Sequence, residues 1–375
     1  MPNIINTVDP DGLAEYSVVY TDRSLNHMSK SFQAVMNDIS LTLKSVYNAD
    51  AVAVVPGSGT FGMEAVARQF ARDKHCLIIR NGWFSYRWTQ ILDMGDLPAS
   101  TTVMKARQIE EGSQGSFAPA PIEEVVATIL SEKPSVVFAP HVETSSGMIL
   151  PNDYLRMVAD AVHQIGGLFV LDCIASGAIW VDMKEQGVDV LISAPQKGWS
   201  GSPCCALVMM SNAALKALEH TQSNSFACDL KKWSEIMRAY ENGGHAYHAT
   251  MPTDSLAQFS RVMDETKAYG FHKVHVAQQQ LGDKVRALLV AKGIKSVAAQ
   301  GFQAPGVVVC YTRDPGFQNG SKFAAQGMQI AAGVPLQCDE PEDFMTFRLG
   351  LFGLDKLYDV DAAVARFADT LEQLQ

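Results

Sequence analysis

Short β-branched runs recur between residues 51 and 210, and segments of helical period separate them. The runs stand at 51–55, 76–79, 101–104, 135–138, 168–171, 188–192 and 205–210. Between them, the stretches 62–72, 121–131 and 151–165 carry apolar residues at the spacing of one helix face. Most of the runs are apolar at every position, so both of their faces must be covered. Strands of that kind belong to a mostly parallel sheet with helices on each side, a doubly wound α/β domain. The chain has 375 residues, 47% of them hydrophobic, which supplies a large core and leaves material for a smaller second domain.

After residue 252 the pattern changes. A long helical period runs over 253–292, short strands are expected at 295–298 and 306–311, and a helix around 322–332. A strand at 344–351 and a last helix at 360–374 complete the chain. The expected organisation is an N-terminal segment (1–22), a large domain (23–252) and a small C-terminal α/β domain (253–375) that also packs the N-terminal segment. No low-complexity linker separates the two domains, so tight docking is expected.

A formal net charge of −10 and a pI near 5.4 argue against a nucleic-acid binder, which needs a basic face. The opening Met1-Pro2-Asn3-Ile4-Ile5-Asn6 has neither a basic start nor a long apolar stretch, and is read as no targeting signal. The most apolar region, 166–181, is interrupted by Asp172 and reads as a buried strand instead of a bilayer span. The seven cysteines form no CxxC pair, which points to free thiols in a reducing cytoplasm and to no metal site.

Three features carry chemistry. Val54-Val55-Pro56-Gly57-Ser58-Gly59-Thr60-Phe61-Gly62 reads as strand, glycine turn and helix start, where free N–H groups and a partial positive charge meet an anion. A tight turn that binds nothing has the same residues. Asp172 directly follows the apolar run 168–171, at the strand end where ligands of open α/β sheets gather. A protonated ring nitrogen would compensate its desolvation, and a helix cap or a sugar hydroxyl would serve as well. Lys197 follows the next run within Ala194-Pro195-Gln196-Lys197-Gly198-Trp199, enclosed by Pro, Gly and Trp. A desolvated lysine loses its proton readily and can form an imine with an aldehyde, whereas most lysines are solvated surface charges. Together the three suit one phosphorylated aldehyde cofactor, and the step from Asp172 to Lys197 fits one crossover-plus-strand unit.

From about Met28 to the C-terminus the chain resembles the class V aminotransferases of fold-type I, most of all the alanine–glyoxylate and serine–pyruvate aminotransferases. The most specific stretch runs from Glu143-Thr144-Ser145-Ser146-Gly147 through Asp172 to Gln196-Lys197. The resemblance implies pyridoxal 5′-phosphate bound to Lys197 as a Schiff base, with Lys197 then serving as general base and acid. It implies that Asp172 pairs with the pyridine nitrogen and that Ile174 packs under the ring. Ser58, Gly59 and Thr60 would hold the phosphate, with Gln196 beside it, and Thr144 would reach the ring hydroxyl. Tyr247-His248-Ala249-Thr250 resembles a segment that crosses a dimer interface, making Tyr247 and Thr250 phosphate ligands in trans and the protein a homodimer. Arg348, in Thr346-Phe347-Arg348-Leu349-Gly350, resembles the family's substrate arginine, whose fork grips a carboxylate. The reaction implied is ping-pong transfer of an amino group from a small amino acid to glyoxylate or pyruvate.

The departures concern the substrate. In Asn81-Gly82-Trp83-Phe84-Ser85, Phe84 takes the place of the stacking Trp or Tyr, with Trp83 as competitor. The family's Gly-Pro-Gly-Pro turn is replaced by Thr7-Val8-Asp9-Pro10-Asp11-Gly12, and Arg23 and His27 lie nearby as candidates for reading a polar side chain. The same scaffold also serves aminophosphonate transaminases, β-lyases and cysteine desulfurases, the last through Cys338. A nucleotide-binding oxidoreductase using the Gly57 turn would not depend on Lys197, and a non-catalytic regulator would bind cofactor without turnover.

Overall fold

The computed structural model describes residues 8–374; the opening stretch read as lacking a targeting signal lies outside them. All seven apolar runs form strands of one sheet: β1 (Ala51–Pro56), β2 (His75–Arg80), β3 (Ser100–Lys105), β4 (Val136–Pro140), β5 (Leu168–Asp172), β6 (Val190–Ser193) and β7 (Cys205–Met210). Their order is β1-β7-β6-β5-β4-β2-β3, and only β7 runs against the rest. The covering helices are α1 (Lys30–Tyr47), α2 (Gly59–Phe70), α3 (Trp83–Met94), α4 (Ile122–Glu132) and α5 (Asn152–Gln164). Both sheet faces are dry: Val137, Phe138, Phe169, Leu171, Leu191 and Leu207 are fully buried. This is the mostly parallel α/β architecture that the apolar runs predict.

Local chemistry sets where the helices begin. Ser29 caps α1 by accepting from the Phe32 N–H, and Asn48 ends it in the left-handed region that asparagine tolerates. Ser58 precedes α2 but makes no side-chain cap, so the first N–H groups of α2 keep their polarity for something else. Gly62 lets α2 lie flat on the sheet, since a Cβ there would come within 2.4 Å of the Ala206 Cβ. That close approach holds the α2 N-terminus over the strand ends.

The C-terminal part holds a three-stranded antiparallel sheet, β8 (Val307–Tyr311), β10 (Thr346–Gly350) and β9 (Ala331–Ala332) in that order. Its second layer is formed by α7 (Phe271–Ala291) and α8 (Val360–Gln373), which share a core of Val285, Leu289, Phe347, Leu349 and Phe367. The single helical period over 253–292 is two helices here, because Gly270 (φ 105, ψ 122) separates α6 (Thr253–Tyr269) from α7. Residues 295–298 form isolated bridges to Cys310 and Phe117 instead of a strand. The helix expected around 322–332 stops at Ala325: Gly327 turns left-handed, and Ala331 and Ala332 pair with β10. The described part of the N-terminal segment reaches the junction of the two parts. Tyr20 donates to the Met251 carbonyl, and the Asp254 carboxylate accepts from the Leu25 N–H.

The two cores are stitched together by backbone hydrogen bonds beside the strand ends. Ala304 N–H donates to Gly147 O and Ile149 N–H to Phe302 O. Glycine suits that position, with φ 71 and the β8 backbone 3.1 Å from where a Cβ would stand. The Glu143-to-Gly147 stretch thus joins the parallel sheet to the sheet that carries Arg348.

Candidate active site

Three strand ends meet beside one another, with Pro140 and Ile192 flanking Asp172 in register. The Asp172 side chain is placed by its own chain: Oδ1 accepts from the Ile174 N–H at 2.9 Å. Lys197 follows β6 on a turn closed by Ser200 N–H donating to Lys197 O and Gly201 N–H to Pro195 O. Gly198 is essential to that turn, since a Cβ would sit 1.9 Å from the Gly177 carbonyl oxygen. A Cβ at Gly59, at the start of α2, would meet only the Ile174 side chain, nearest at Cδ1, 2.6 Å away, the far end of a group that can shift.

These elements enclose a cavity of about 190 Å³. Nine of the predicted residues line it, namely Ser58, Gly59, Thr60, Phe84, Thr144, Asp172, Ile174, Gln196 and Lys197. Phe84 faces the cavity, whereas the Trp83 ring turns to Tyr86. Arg348 stands at its edge: the guanidinium lies 5.5 Å from the Phe84 ring centroid, and Nε donates to the Ala332 carbonyl at 2.7 Å. Tyr247 and Thr250 are not brought to this cavity. They hydrogen-bond to each other at 3.0 Å on the surface, with Tyr247 half exposed. His27 is buried under Tyr20 and Tyr247 and is not among the residues lining this cavity.

Electrostatics divides the cavity. Burial raises the Asp172 carboxyl to about 7, with Glu143 adding to the rise and the Ile174 N–H and Arg87 opposing it. Burial lowers the Lys197 ammonium, and the Arg348 charge lowers it further. An acid that needs a cation therefore shares the cavity with an amine that readily loses its proton.

Asp172 gives a pH prediction for the cofactor-free protein. Its folded pKa of about 7 lies above the ordinary 3.8, so the folded state holds the proton more tightly. The stability this contributes is fully present below about pH 4 and is lost as pH rises through about 7. The melting temperature of Asp172→Asn minus that of the wild type should therefore grow between pH 5 and 8. A pH-independent difference in calorimetry overturns this reading of the carboxyl.

Residues outside the sequence reading complete the site. The fully buried Glu143 carboxylate accepts from the Phe84, Ser85 and Ser145 N–H groups and from the Ser85 and Ser145 hydroxyls. It anchors the N-terminus of α3, an electrostatically favoured place for an acid, and so fixes Phe84. Its position just before Thr144 was the available signal. Arg87 also lines the cavity, one helical turn after Phe84. Lys197 Nζ lies 5.4 Å from the Phe352 ring, a neighbour that no local pattern announces. Cys338 is buried, and its thiol is pushed up to about 12, first by burial and then by Glu143 and Glu340. That is the opposite of what a sulfur-accepting nucleophile needs.

Residues 11–331 match the family profile "Aminotransferase class-V". The chain belongs to the class V aminotransferases. This aminotransferase is 26% identical over 314 residues to alanine–glyoxylate aminotransferase 1 of Saccharomyces cerevisiae, spanning 78% of each chain. It is 27% identical over 357 residues to the 2-aminoethylphosphonate–pyruvate transaminase of Paraburkholderia phymatum, covering 92% of this chain and 89% of that one. It shares its fold with the crystal structure of an alanine–glyoxylate aminotransferase from Nostoc sp., at a TM-score of 0.76 and 19% identity over 94% of this chain and 89% of that one. The fold of the aminotransferase is thus that of the fold-type I enzymes.

Proposed function

We propose that this aminotransferase uses pyridoxal 5′-phosphate to move the amino group of a small amino acid, of alanine or serine type, to glyoxylate or pyruvate. The observation that carries the reading is the convergence of Asp172, Lys197 and the uncapped start of α2 on one cavity. The lining also fits the group in detail. Gln196 lines it with Oε1 buried and unpartnered, and its side-chain amide can turn to donate the NH2 to a phosphate oxygen. The family match and the named relatives support the same cofactor.

When bound, the cofactor supplies an electron sink for a carbanion at the donor's Cα. The protein's own groups do the rest. Lys197 Nζ, whose proton burial makes easier to lose, would hold the cofactor and, once displaced from it by the donor's amine, would carry the proton that leaves the donor's Cα. Asp172, relieved of its desolvation by a ring cation, keeps a proton on that nitrogen. Phe84, Ile174 and Thr144 would hold the ring, and Ser58, Gly59 and Thr60 the phosphate. Arg348 orients the α-carboxylate of donor and acceptor alike through two parallel bonds.

Tyr247 and Thr250 would reach the phosphate of a second copy. Exposed apolar side chains at Tyr16, Val18, Phe226 and Tyr247 support a homodimer, since such surface is normally covered. All seven cysteines are free and buried, which supports a reducing compartment such as the cytoplasm. Among the described residues no helix is long and apolar enough to cross a membrane.

The test is purified protein with pyridoxal phosphate, alanine or serine as donor and glyoxylate or pyruvate as acceptor. Appearance of the donor's keto acid with the acceptor's amino acid is expected. Failure with every such pair, together with turnover of an aminophosphonate, moves the enzyme to the second reading that the Paraburkholderia relative favours. Arg348 separates these further. Arg348→Lys should lower kcat/KM for α-amino acids by about 100-fold, since one point charge replaces a fork. An unchanged kcat/KM removes Arg348 from carboxylate recognition.

A further inference from the structure

Arg87 has a chemical role that follows from charge. It leaves α3 on the same face as Phe84, and its guanidinium lies 5.1 Å from that ring's centroid. Nη1 donates to Thr60 Oγ1 at 2.9 Å, which ties the side chain to the first turn of α2. It forms no direct ion pair with a carboxylate among the described residues, its charge acting on Asp172 only at longer range. A guanidinium has several N–H donors in a fixed fork, so most of this one's donors remain available to a ligand.

The anion expected at that turn carries about −1.5 to −2 charges at neutral pH. The start of a helix offers only about +0.5. The cavity's side chains include two cations, Lys197 and Arg87, and Lys197 is committed to the covalent link, which consumes its neutral amine. Arg348 is tied to the Ala332 carbonyl of the small sheet, and on the reading above it is engaged by the substrate's carboxylate. The balance of charge at the α2 end therefore falls on Arg87.

We propose that Arg87 is a binding residue for the phosphate of the cofactor, completing from within the same subunit the anion site begun by Ser58, Gly59 and Thr60. The proposal rests on the cofactor reading above. The same chemistry fits a phosphonate carried by a substrate, and the bond to Thr60 decides for the cofactor.

The experiment uses cofactor-free full-length protein in three forms: wild type, Arg87→Gln and Arg87→Lys. Dissociation constants are measured by equilibrium dialysis for pyridoxal 5′-phosphate and for pyridoxal, and thermal shifts are recorded with inorganic phosphate. Arg87→Gln should weaken pyridoxal phosphate by roughly 10- to 100-fold, the worth of a charge-assisted bond, and change pyridoxal by less than about threefold. The stabilisation by inorganic phosphate should disappear in Arg87→Gln, and Arg87→Lys should fall between the two. Circular dichroism identifies any variant that fails to fold, and the lysine variant then decides.

Equal weakening of both ligands would make Arg87 a support for Thr60 and Phe84 and overturn the proposal. So would unchanged affinity for both, or a raised KM confined to a phosphonate donor. Wild type that takes up neither ligand overturns the cofactor reading and this proposal together. Tight wild-type binding with an unaffected glutamine variant overturns this proposal alone.

Discussion

Lys197→Ala abolishes transamination: the expected fall in kcat is at least about 10⁴-fold, the scale seen when a covalent and proton-moving group is deleted. The reason is that one Nζ performs both duties, in a cavity where no other described side chain offers an amine. Borohydride reduction of the wild type should leave the cofactor's mass on the peptide holding Lys197, and the variant should show no such increment. Cofactor should still bind non-covalently, because the α2 turn, Gln196 and Asp172 are untouched. Partial rescue by a small external amine would mark a chemical deficit and distinguish it from a collapsed site. Full activity in the variant would remove Lys197 from the chemistry and favour the oxidoreductase alternative.

Asp172→Asn should lower kcat on the order of 10³-fold with less change in KM, because the asparagine keeps the shape but cannot hold a proton on the ring nitrogen. The wild-type carboxyl, raised to about 7 without a partner, is stabilised as an anion by the ring cation. Binding should therefore release more proton from Asp172 near pH 6 than near pH 8, measurable as a buffer-dependent heat in calorimetry. Equal proton release at both pH values, or a variant with a normal kcat, would show that Asp172 is not the partner of that nitrogen.

The legible part of this protein was the part encoded by short-range pattern. Seven apolar runs gave seven strands because a strand buried on both faces leaves no polar position, a rule that needs no partner to be named. Asp172 and Lys197 stood out because polar groups directly after such runs are exceptions to it. The misread elements are local as well. Gly270 broke a period that continues through it, and the helix near 322–332 lost its second half to pairing with β10. A glycine's φ and a strand's partner are both set by what lies across the fold.

Thus Lys197, Asp172 and the Ser58 turn followed from the chain alone, as did Phe84 and Arg348 through resemblance. Tertiary structure decided what surrounds them. Glu143 came to the start of α3 because Gly147 lets its segment lie against β8. Arg87 came to Thr60 because α2 and α3, on different strands, meet over the cavity. Both arginines lie against the Phe84 ring, Arg87 tied to Thr60 of α2 and Arg348 to the Ala332 carbonyl of the small sheet. Sequence spacing fixes which groups share an element, but desolvation and charge pairing act across elements, and those distances exist only once the chain has closed.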